Sequence, residues 1–119
     1  MKKEIADKWI AALRSGEYKQ IKGRLRTDEG FCCLGVLCNI HAQEHPEIAA
    51  RQLRTSVYLR ETTLLPRGVM KWAGVSLDNN ECLLSAGDFT RHALTYLNDK
   101  AGFSFEKIAE VIEKNYEEL

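Results

Sequence analysis

Four cysteines and three histidines are the side chains of this chain best equipped for chemistry. Cys32 and Cys33 are adjacent, Cys38 and His41 follow closely, and Cys82 stands far along the chain. A thiol at the start of a helix has its thiolate stabilised by the helix dipole and by free N–H groups. Cys32 or Cys33 in that place would resemble a papain-like nucleophile. His41, His45 or His92 would serve as base, oriented by Asn39, Asn98 or Asp99. The flanking residues argue the other way. Phe31, Leu34, Val36, Leu37 and Ile40 offer apolar surroundings, which raise a thiol's pKa, and free cysteines commonly fill core space. A zinc site would have to be drawn from Cys33, Cys38, His41 and Cys82. Structural zinc sites normally use two close ligand pairs, and no second pair exists here. No metal and no cofactor are therefore expected, and binding is favoured over catalysis.

A second group of residues has a different chemistry. From Tyr18 to Arg26 the even positions are Tyr18, Gln20, Lys22, Arg24 and Arg26, and Ile21, Gly23 and Leu25 alternate with them. Such alternation predicts a half-buried strand over 18–26 with a cationic face. Arginine offers a planar fork to phosphate, and tyrosine offers a surface on which a base can stack. Arg14, at the end of the preceding helix, would approach the same face. The pattern suits a small anionic ligand. Its plainer interpretation is a solvated edge strand whose charges discourage edge pairing.

The elements that must position these groups follow from periodicity. Ile5, Trp9, Ala12 and Leu13 predict a helix over 2–14, closed by Ser15-Gly16. Thr27-Asp28-Glu29-Gly30 is turn chemistry leading into a short strand at Phe31-Cys32. Residues 33–42 are apolar enough for a buried helix or a buried strand, and the helix is favoured because the pattern continues to Ala42. Pro46 opens a short helix to Leu53. Ser56 to Arg60 reads as a short strand that would bring Tyr58 and Arg60 to the cationic face. Pro66 to Ala73 reads as a helix stopped by Gly74. Two short strands are expected around Asp78-Asn79-Asn80, and a helix capped by Asp88 through Ala93, Leu94 and Leu97. Ser104 caps the last helix, in which Phe105, Ile108, Ala109 and Ile112 share a face. Trp9 and Trp72 stand on apolar faces as core anchors.

The chain has 119 residues, 45% of them hydrophobic, which suits one domain over 1–119. The predicted fold is α+β: a small antiparallel sheet packed by an N-terminal helix, a buried central helix and C-terminal helices. Leu13, Leu25, Leu34, Leu37, Leu94, Ile108 and Ile112 should meet around the central segment. Lysine plus arginine and aspartate plus glutamate number 17 each, which argues against an extended nucleic-acid partner. The halves differ, with 11 bases and 7 acids in residues 1–60 against 6 and 10 in 61–119. A basic patch on a neutral protein follows. No apolar run is long enough to span a bilayer, so no membrane partner is expected. The N-terminus does not read as a signal peptide, and a cytoplasmic location with reduced thiols is the expectation.

Three stretches carry a resemblance. They are Trp9-x-x-Ala12-Leu13-x-Ser15-Gly16-x-Tyr18-x-Gln20, the run Gly30 to Cys38 (Gly-Phe-Cys-Cys-Leu-Gly-Val-Leu-Cys), and Leu97-Asn98-Asp99 with the Phe103–Ile112 helix. Together they resemble a family of small bacteriophage and prophage proteins. The resemblance implies a phage accessory protein acting in its bacterial host, and it carries over no functional residues. The expected function is capture of a nucleotide-derived or phosphorylated host signal as a counter-defence factor, with Tyr18 stacking and Lys22, Arg24 and Arg26 on phosphate. Two other expectations are an inhibitor docking on a host protein and a cysteine-dependent hydrolase. Sequestering proteins often share sites between subunits, so a homo-oligomer is also considered.

Overall fold

The computed structural model describes residues 1–52, 57–87 and 90–119. Its architecture is α+β, with six α-helices and two small antiparallel sheets among those residues. Helix α1 (Lys3–Arg14) buries Ile5, Ala6, Trp9, Ile10 and Leu13 on one side. It lies chiefly against α6 (Phe105–Asn115), whose Phe105, Ile108, Ala109, Val111 and Ile112 are buried in turn. Both are amphipathic helices whose apolar stripes need a partner.

Helix α2 (Cys33–Glu44) is different. Cys33 through Cys38, Ile40 and His41 are all buried, so apolar side chains cover most of its circumference. That marks a helix at the centre of the core, with α1, α3 (Pro46–Gln52), α4 (Arg67–Ala73) and α5 (Leu94–Asp99) around it. Leu13, Leu25, Leu34, Leu37, Leu94, Ile108 and Ile112 are all buried in one cluster, as the sequence predicts. Trp9 is fully buried, and its Nε1–H donates to the Cys33 carbonyl at 2.9 Å. This bond fixes α1 to the first turn of α2.

Two glycines of the central motif are required by close approach. A Cβ on Gly35 would lie 1.6 Å from the Leu25 carbonyl oxygen, and one on Gly30 would lie 2.2 Å from that of Lys19. Both sites press helix or strand backbone directly onto the segment that precedes the motif.

The expected strand over 18–26 does not form. Only β1 (Arg26–Thr27) is extended and paired, antiparallel to β2 (Gly30–Phe31). Residues 19–21 touch β2 through one parallel bridge, Gln20 to Phe31. Gly23 sits at φ +83°, which ends any extended run. The alternation is real but has another cause: Ile21 and Leu25 are anchored inward at two separate points.

Three other expectations are corrected. Of the two strands expected within 75–84, the first does not form and the second begins only at Leu83, while residues 75–82 hold no strand. They turn, and the Asn79 side chain both accepts from the Leu83 N–H (2.8 Å) and donates to its carbonyl (3.2 Å). Residues 91–93 are a strand, β4, paired with β3 (Leu83–Ser85), so α5 begins only at Leu94. The proposed cap, Asp88, lies outside the described residues. Tyr58 and Arg60 are on no strand face. Tyr58 and Glu61 bracket a two-residue turn in which Leu59 and Arg60 both take positive φ, 47° and 75°. Ser56, where that strand was to begin, is outside the described residues. No helix among the described residues is long and apolar enough to cross a membrane.

Candidate anion-binding loop

The site is built where residues 19–27 wrap the start of α2. The Phe31 N–H donates to the Lys19 carbonyl and its carbonyl accepts from Ile21 N–H, both at 2.9 Å. Four residues on, the Leu25 carbonyl accepts from Cys32 N–H (3.2 Å) and its N–H donates to Thr62 (2.7 Å). Between these anchors Lys22, Gly23 and Arg24 leave the body of the protein, and all three are exposed.

Asn98 and Asp99 hold that excursion in shape. Asn98 is 1% exposed. Its Oδ1 accepts from Gln20 Nε2 (2.8 Å) and from Cys33 N–H (3.3 Å). Its Nδ2 donates to the Ile21 carbonyl and to Asp99 Oδ1, both at 2.8 Å. Asp99 Oδ1 also accepts from Gly23 N–H at 3.0 Å. One buried amide therefore ties the loop, the first turn of α2 and α5 together. Burying it is tolerable because its polar atoms are bonded. In the sequence Asn98 and Asp99 stand out only as candidate orienting groups for a cysteine nucleophile and as part of the Leu97-Asn98-Asp99 stretch. Their role as a clamp was signalled only by their place in the Leu97-Asn98-Asp99 stretch.

The six residues expected on one cationic face are divided by the structure. Arg14 is held by Glu106 (3.1 Å) and Glu113 (3.0 Å). Gln20 is turned inward, donating to Asn98 and to the Phe103 carbonyl. Tyr18 is half-buried, with its ring edge-on to Phe31 (5.1 Å between centroids) and its hydroxyl accepting from Asn39 Nδ2 at 2.7 Å. Arg26 is exposed, with its guanidinium 5.7 Å from the Phe31 ring centre. That leaves Lys22 and Arg24, neither of which has an acidic partner among the described residues.

The thiols offer no comparable opportunity. Cys32 does stand at the N-cap of α2, where its Sγ accepts from Gly35 N–H at 3.4 Å. Burial nevertheless pushes its pKa up to about 11, outweighing the backbone bonds that lower it. Cys33 and Cys38 are driven well above the usual thiol range by burial, and Cys82 to about 12. His41, the candidate base, has its Nδ1 2.7 Å from the Tyr58 hydroxyl and its ring stacked on His45 at 4.1 Å. The described residues hold no group of three metal-ligating side chains.

Residues 1–116 match the model of the family described as Domain of unknown function (DUF8296), and the chain belongs to that family. No curated protein and no solved structure matches the chain.

Proposed function

We propose that this member of the DUF8296 family is a phage-type accessory binding protein that sequesters a small phosphorylated host signal on the 22–24 excursion. One observation carries the reading. Lys22 and Arg24 are exposed and without acidic partners among the described residues, and they flank a glycine on a segment braced at both ends. Five other cations, Lys3, Lys8, Arg14, Arg91 and Lys114, are in ion pairs, whereas Lys19 and Arg26, on either side of the excursion, also have none among the described residues. Two cations held apart by a fixed backbone meet an anion with less ordering cost than two on a free chain. Arg24 supplies the fork that fits phosphate oxygens, and Lys22 supplies a point charge. The buried, high-pKa thiols favour binding over cysteine chemistry.

Native mass spectrometry tests the reading. The protein and its K22A/R24A variant are incubated with a bacterial small-molecule extract. The reading expects an adduct on the parent that is lost with the variant or after phosphatase treatment of the extract. An adduct that survives both, or no adduct at all, would contradict it.

A further inference from the structure

We propose that Tyr96 is the stacking platform for the base of a nucleotide whose phosphates lie on Lys22 and Arg24. The inference rests on the phosphate reading of the 22–24 excursion and names the class of ligand. Among the described residues, Tyr96 is the most exposed large hydrophobic side chain, at 47%. A tyrosine ring at the surface offers an apolar face and a polar tip to a ligand. It is also held in place. The His92 ring stacks on one face at 5.4 Å with the planes 19° apart, and His92 Nε2 lies 2.9 Å from Thr90 Oγ1. A ring supported on one face presents the other to a base, and every base has a π-face to offer.

The position fits. Leu94, Leu97 and Asn98 turn into the core, so Tyr96 and Asp99 lie on the outer side of α5. They are three residues apart, which makes them neighbours on the helix surface. Asp99 is the residue that receives Gly23 N–H at 3.0 Å. The backbone of Tyr96 thus stands one turn, about 5 Å of helix rise, before that of Asp99, and its ring leans back over His92. A ribose would join a base on the Tyr96 ring to phosphates on the excursion. Tyr18, the tyrosine nearest the excursion in sequence, is committed to Phe31 and Asn39 and cannot take this role.

Calorimetric titration with ADP and with inorganic pyrophosphate separates this inference from the reading beneath it. Tyr96→Ala should weaken ADP binding by about tenfold or more, the usual worth of one base–aromatic stack. It should leave pyrophosphate binding unchanged, and Tyr96→Phe should retain ADP affinity. If ADP binds no tighter than pyrophosphate, or Tyr96→Ala binds ADP like the parent, the nucleotide inference is wrong and the phosphate reading stands. If neither probe binds the parent, both are wrong.

Discussion

At the scale of single residues, the side chains that first suggest catalysis are the ones the fold has silenced. Cys32 occupies the place where a helix would activate a thiol, yet it is 5% exposed and its pKa rises to about 11. Desolvation of the thiolate outweighs one N–H···S contact of 3.4 Å. Labelling with a thiol-reactive disulfide at pH 7.5 should therefore be slow at all four cysteines until the protein is unfolded. Rapid native labelling of Cys32 or Cys33 would contradict this. His41 makes the opposite adjustment. Burial, aided by the neighbouring His45, lowers its pKa to about 4 from an unfolded value of 6.5. The unfolded chain then binds more protons between those values, so this histidine's contribution is complete above pH 6.5 and is lost as pH falls toward 4. It amounts to at most about 3 kcal/mol. The stability difference between pH 7 and pH 4.5 should shrink in His41→Gln. An unchanged difference would show that His41 is not the group responsible.

At the scale of elements, the amide and the glycine that join loop to helix matter more than the cations they serve. Asn98→Ala would leave Cys33 N–H, Gln20 Nε2 and the Ile21 carbonyl without the partner they have in the folded chain. A cost of about 2–4 kcal/mol follows from stranding buried polar groups, together with faster hydrogen exchange across 19–25. Normal exchange there, with normal stability, would refute the clamp. Gly35→Ala should cost more than about 3 kcal/mol or prevent folding, because the new methyl group has no space beside the Leu25 carbonyl. Chemical denaturation measures both.

These elements also show what sequence can and cannot disclose. Helices α1, α4 and α6 were legible because their signals are local: an apolar stripe, Ser104 as cap, Gly74 in the left-handed conformation as stop. Helix α2, apolar around most of its circumference, was ambiguous between helix and strand and was favoured as a helix only by the length of its apolar run. The presentation of the cations was not legible. Alternation at 18–26 has the period of a strand, but here it arises from two inward anchors with an excursion between them. The group that shapes that excursion, Asp99, lies 76 residues away from Gly23. The β3–β4 hairpin was missed for a similar reason. Leu84 and His92 pair only through a register set in three dimensions.

At the scale of the whole molecule, the charge is balanced, with 17 basic and 17 acidic side chains. Long-range attraction of polyanions is correspondingly small. Part of the charge is spent internally: Arg14 of α1 bridges two glutamates of α6, and Lys114 pairs with Glu110. The two cations of the excursion are a local feature, which suits a compact anion better than a nucleic-acid backbone. Substituting an exposed glutamate in the first turn of α1, Glu4, should leave ligand affinity within about twofold at physiological salt, since exposed charges more than about 8 Å apart are largely screened. A large change in the calorimetric affinity of E4Q would point to a diffuse electrostatic mode instead. The most direct test of the central claim is titration of pyrophosphate into the parent protein and into K22A/R24A at equal ionic strength. The account predicts saturable binding to the parent, weakened at least about tenfold in the variant by loss of two charge-assisted contacts. Equal affinity in the two proteins, with both folded, would contradict it.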